Sequence, residues 1–170
     1  MDRRSLDLRD FDAVARDVDS LLAKGYRRAG NWDLAQICDH LSMTMEGSIN
    51  GFSIQVPWLV RKLVAPIFYR RIVMTRRLPA GRKGPASLMP KPGGDPGEAV
   101  RRFKEWLRRV GEHKGDFQLH PFFGYLTPDE WRDLHLMHTS HHLSFLIPSE
   151  AAPTAAARPG AASQPVEMKR

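Results

Sequence analysis

The sequence predicts an all-α fold, and three observations carry that expectation. Four stretches place apolar residues at the three-and-four spacing of an amphipathic helix, the last two open on proline-containing start signals, and the link between the second and third is long. Helices with one apolar stripe bury it against one another. The pattern therefore predicts a four-helix bundle with a long connection between helices two and three.

The first helix rests on Phe11, Val14, Ala15, Val18, Leu21 and Leu22, with Asp10, Asp12, Arg16, Asp17 and Asp19 between them, and it ends near Lys24-Gly25. Gly30-Asn31 predicts a break and an N-cap, after which a second helix runs from Trp32 to about Ile49 with Leu34, Ile37, Leu41 and Met45 on one side. From Gly51 to Gly94 proline and glycine accumulate, and one short helix around Trp58 to Arg71 followed by irregular loop is expected. Asp95-Pro96-Gly97-Glu98 opens the third helix, carried by Val100, Phe103, Leu107 and Val110. Thr127-Pro128-Asp129-Glu130 opens the fourth, which should reach about Ile147 before Pro148 stops it. Residues 149–170 are alanine, proline and small polar residues, which predicts a disordered tail behind a single domain over 1–148.

Charge and apolar runs exclude several classes. The N-terminus passes straight into mixed charge with no apolar core of a signal peptide, and the stretch from Phe52 to Tyr69 is interrupted by Pro57, Arg61, Lys62 and Pro66, so no membrane-spanning helix is expected. A cytoplasmic location follows as the default expectation. The single cysteine, Cys38, leaves no internal disulfide. The net charge of +7 is concentrated: residues 47–94 carry Arg61, Lys62, Arg70, Arg71, Arg76, Arg77, Arg82, Lys83 and Lys91 and no acid. No nucleic-acid motif accompanies them. A non-enzymatic module that binds an acidic partner, phosphate groups or anionic lipid through the 61–91 segment is one class of function this allows.

The histidines point to another class. His138 and His142 are four residues apart, so they share a helix face from which two imidazoles can converge on one ion. His40 lies in the apolar stretch of the second helix beside Ile37 and Leu41 and is the natural third ligand. Three neutral imidazoles leave a coordination position free, as in a catalytic metal site, and a thiol or water bound there becomes acidic. Imidazole ligands suit zinc first, with nickel, copper or iron as alternatives. Against this stands ordinary packing, since buried histidines often only satisfy backbone groups; on that reading His135 and His141 border the surface and His120 bonds within its loop. A metal kept only for stability is a third option. Gln36, four before His40, is either a partner for its ring or a surface residue, and Cys38 faces away from the three histidines.

Trp32-Asp33-Leu34-Ala35-Gln36-Ile37-Cys38-Asp39-His40-Leu41 resembles the tryptophan-led second-helix motif of DinB-like proteins, whose metal histidine follows the tryptophan by about two turns. His138-Thr139-Ser140-His141-His142 resembles the same family's fourth-helix motif, in which the first and last histidines are ligands. His120-Pro121-Phe122-Phe123-Gly124 and Thr127-Pro128-Asp129-Glu130-Trp131 are similar to a DinB-like branch of unknown function. The resemblance implies metal ligation by His40, His138 and His142. Some members of that family are metal-dependent transferases that use a low-molecular-weight thiol and others have no assigned activity, so the resemblance implies a metal-dependent transferase acting on a small molecule; water at the open position would make a hydrolase instead, and a homodimer is a compatible assembly. Leu143-Ser144-Phe145 stands where much of the family has Arg-Gly-Gln, a departure at the position that bears on the co-substrate.

Overall fold

A computed structural model describes residues 3–54, 56–81 and 84–149. Of the segment expected to be a disordered tail, residues 150–170 lie outside the described residues, and Ser149 donates its amide hydrogen to the Gly25 carbonyl at 3.0 Å. The chain is mostly helical. Six α-helices, α1 (Phe11–Lys24), α2 (Leu34–Asn50), α3 (Trp58–Leu63), α4 (Ala65–Thr75), α5 (Pro96–Glu112) and α6 (Pro128–Leu143), are joined by a small antiparallel pair, β1 (Tyr26–Arg28) and β2 (Leu146–Pro148).

The start signals work largely as their chemistry predicts. Asp95 accepts from the Glu98 amide, and Thr127 and Glu130 form a reciprocal capping box at α6. At α2 the expected Asn31 cap is replaced by Asp33: its carboxylate accepts from the Gln36 amide while Gln36 Oε1 accepts from the Asp33 amide. Gln36 is thereby committed to the cap rather than to the His40 ring. This shift by two residues leaves Trp32 outside the helix. At the other end of α1, Gly25 adopts φ 76°, a left-handed backbone that a side chain disfavours.

Two elements differ from the sequence expectation. The middle of the chain forms two helices, α3 and α4, because Pro66 sits at the start of the second, where it lacks only an amide the helix does not use. The fourth predicted helix stops at Leu143, and Leu146–Pro148 leaves it to pair with Tyr26–Arg28. Three-residue strands carry too little alternation to be read in sequence.

α2 packs against α5, α6 and α1, and α1 packs against α5 and α6. Their shared core contains Val14, Val18, Leu21, Leu34, Ile37, Leu41, Phe103, Val110, Trp131 and Leu143. α6 is buried on nearly every side: Leu136 and Leu143 are interior although they point away from the sector of Trp131 and Leu134. Cys38 is core as well, and burial pushes its thiol pKa up, so it is an unreactive packing group. α3 runs into α4 through the single helical residue Val64, and Ile72, Phe68 and Tyr69 of α4 reach the core. Arg76, just past α4 at φ 48°, fastens that end by ion pairs to Asp7 and to Asp133 on α6. No helix among the described residues is long and apolar enough to cross a membrane.

Candidate metal centre

α2 and α6 face each other, and among the polar side chains that meet across that contact are His40 on α2 and His138 on α6, with His142 one turn further along. His40 Nε2 lies 3.3 Å from His138 Nε2, and His142 Nε2 lies 3.0 Å from His138 Nε2. One ligand atom from each ring lies within 4.8 Å of the others, so the structure brings together all three histidines that the sequence singled out. A tetrahedral ion with bonds of about 2.0–2.1 Å sets its ligand nitrogens about 3.3 Å apart. The His40–His138 and His138–His142 pairs already stand close to that spacing.

Their protonation state suits the same role. Burial is the first cause in each case: it lowers the His40 pKa against the opposing bond to Leu88, and it holds His138 and His142 well below the ordinary value, helped by the neighbouring histidines. All three are neutral at pH 7. His40 Nδ1 lies 2.8 Å from the Leu88 carbonyl, an acceptor only, so Nδ1 carries the hydrogen and Nε2 presents a lone pair toward His138. A group of neutral imidazole nitrogens this close, with at least one committed as an acceptor, fits a bound cation.

Trp32 completes the inner wall. Its ring stacks on His142 at 5.3 Å and 16° and tilts on His40 at 5.0 Å, restricting two of the three imidazoles. The tryptophan has a visible sequence signal, since it leads the motif. Leu88 has none, because its contribution is a backbone carbonyl delivered by a 3-10 turn at Ala86–Leu88 in the stretch expected to be irregular.

The histidines sit on the wall of a cavity of about 420 Å³, which is why His138 and His142 retain some accessible surface although protein surrounds them otherwise. Phe52, Phe68, Ile72, Phe123, Trp131 and Leu134 supply much of the remaining lining. No aspartate, glutamate, lysine or arginine lines it among the described residues. The other histidines resolve individually. His120 bonds within its loop as the packing alternative expected: its Nδ1 accepts from the amides of Phe122 and Phe123, leaving the hydrogen on Nε2, and burial lowers its pKa to about 4. His135 does not border the surface; it is 3% exposed, lies 3.0 Å from Ser48 Oγ, and burial takes its pKa down to about 3. His141 is half-buried, and burial and then the Arg3 charge lower its pKa to about 4; Arg3 donates to its Nδ1 at 3.3 Å.

Fold and site together define a mostly helical protein with three convergent histidines able to hold a metal ion at the wall of an apolar cavity. The chain belongs to the family described as "Protein of unknown function (DUF1569)", whose model matches residues 1–149. No curated protein and no solved structure matches it.

Proposed function

We propose that the chain is a divalent-metal-dependent enzyme of DinB-like four-helix-bundle architecture, with His40, His138 and His142 as ligands of one ion, zinc first among the candidates. The observation that carries this reading is the convergence of three neutral imidazoles, 3.0 and 3.3 Å apart, on the wall of a cavity large enough for a small molecule. The bundle reading rests on α1, α2, α5 and α6 sharing one core, with the long α2–α5 connection carrying α3 and α4. The metal histidines then come from facing helices, as such bundles place them.

A divalent ion with three protein ligands supplies a Lewis-acid position at which a thiol or water is acidified near neutral pH. The chain's own residues define what meets it. Trp32 and the Leu88 carbonyl fix the imidazoles; Phe52, Phe68, Phe123 and Trp131 exclude water and accept an apolar group. The described lining is mainly apolar and aromatic, which supports a small molecule with an apolar body as the substrate. Among the described lining residues the histidines are the side chains that could act as base or acid, which suits transfer to a thiol or hydrolysis.

Cobalt-loaded protein tests the open position directly. Adding 2-mercaptoethanol is expected to produce a thiolate-to-cobalt charge-transfer band and to shift the visible d–d bands. Spectra that ignore the thiol would mean a closed, structural ion and would sink the enzyme reading.

A further inference from the structure

The consecutive helices α3 and α4, linked through the single helical residue Val64, expose what a globular protein normally hides. Of the eleven exposed large hydrophobic residues among the described ones, seven fall between residues 58 and 74. Met74 is 81% exposed, Ile67 73%, Trp58 64% and Leu63 59%. On α4 the pattern is a designed one in the geometric sense: Ala65, Phe68 and Ile72 take the inward ridge, whereas Ile67, Arg70, Arg71 and Met74 follow the i, i+3, i+4, i+7 spacing of the opposite face. The apolar pair is thus bracketed by two arginines. On α3, Lys62 lies with its ammonium 5.9 Å from the centre of the exposed Trp58 ring.

We propose that this α3–α4 segment docks on an anionic lipid surface, with Ile67 and Met74 entering the headgroup–acyl boundary, Trp58 at the interface, and Lys62, Arg70 and Arg71 on lipid phosphates and carboxylates. Charge complementarity selects that occupant. No acid occurs between residues 47 and 94, and no ion pair engages Lys62, Arg70 or Arg71 among the described residues. A second copy meeting this face across a two-fold axis would set arginine against arginine. A nucleic acid or an acidic protein surface would satisfy the arginines and leave Met74 and Ile67 facing polar groups. A lipid interface takes both at once, as amphipathic helices with basic flanks do. The docking stands apart from the metal reading, although the inward side of the same helix, through Phe68 and Ile72, walls the cavity.

Sedimentation of the full chain with phosphatidylcholine vesicles, with and without phosphatidylserine, tests it. The protein is expected to pellet with the anionic vesicles, less so as salt rises, and to stay in solution with neutral ones. Ile67→Glu and Met74→Glu should each abolish pelleting, and Arg70→Gln with Arg71→Gln should lower the partition coefficient about 25-fold, about fivefold per charge. These side chains are exposed, so unchanged far-ultraviolet circular dichroism checks that the variants fold. Three results would overturn the proposal: no pelleting with anionic vesicles, pelleting untouched by Ile67→Glu, or a wild-type dimer in light scattering that Ile67→Glu converts to monomer. Binding to duplex DNA or polyglutamate that survives Ile67→Glu, without vesicle binding, would assign the face to an acidic macromolecule instead.

Discussion

Buried neutral histidine predicts a specific acid weakness, and His135 isolates it. The ring is 3% exposed between α2 and α6, stacked on Trp131 and 3.0 Å from Ser48 Oγ, and burial takes its pKa to about 3. In the unfolded chain the same ring titrates near 6.5. Between these values the unfolded state holds a proton that the folded state refuses, so the contribution to stability is complete above about 6.5 and is lost as pH falls toward the folded value. From pH 7 to pH 5 this amounts to about 2 kcal/mol for the one group, at 1.36 kcal/mol for each pH unit below 6.5. His135→Gln removes the titration and keeps an amide that can bond Ser48 Oγ, which itself still donates to the Met45 carbonyl. Urea unfolding of metal-free protein at both pH values measures the loss. Wild type should lose about 2 kcal/mol more than the variant over that interval; equal losses would refute the claim that His135 is held neutral.

Other perturbations follow from the packing. A Cβ at Gly47 would stand 2.4 Å from Phe52 Cε1, so Gly47→Ala gains about 1 kcal/mol of helix propensity but suffers about 1–3 kcal/mol of overpacking, for a net loss in the urea midpoint. A stabilised variant would mean that Phe52 yields freely. Asp33→Ala removes the carboxylate that accepts from the Gln36 amide, keeps the backbone N–H that donates to Gln36 Oε1, and should cost about 1 kcal/mol, measured the same way. Trp131 Nε1 is buried without a partner among the described residues. Trp131→Phe therefore forfeits packing but no hydrogen bond and should cost less than about 2 kcal/mol, well short of the 3–5 kcal/mol of a Trp→Ala change.

The sequence made α1, α2, α5 and most of α6 legible because each carries either a clean apolar stripe or side-chain start signals, and those signals are local. The exact α2 start was harder: Asn31 and Asp33 are both good caps, and the choice fell to Asp33 through its exchange of bonds with Gln36. The end of α6 was less legible still, since Leu146–Pro148 is drawn off by pairing with a strand 120 residues earlier in the register Tyr26 to Pro148. Of the candidate site, the grouping of His40, His138 and His142 was readable from helix spacing and motif. The Leu88 carbonyl and much of the apolar cavity wall were not, because they depend on how the 51–95 connection folds back over α2 and α6, and neither was the Trp32 stacking, which depends on where α6 sets His142 beside the start of α2.

The central claim is that His40, His138 and His142 together hold a divalent cation, and metal content of untagged protein measures it most directly. His138 is the variant of choice because its Nε2 lies between the other two at 3.3 and 3.0 Å. Plasma mass spectrometry after reconstitution with zinc should find about one ion per chain in wild type and essentially none in His138→Ala. A wild-type protein that stays empty, or a variant that loads equally well, would contradict the account.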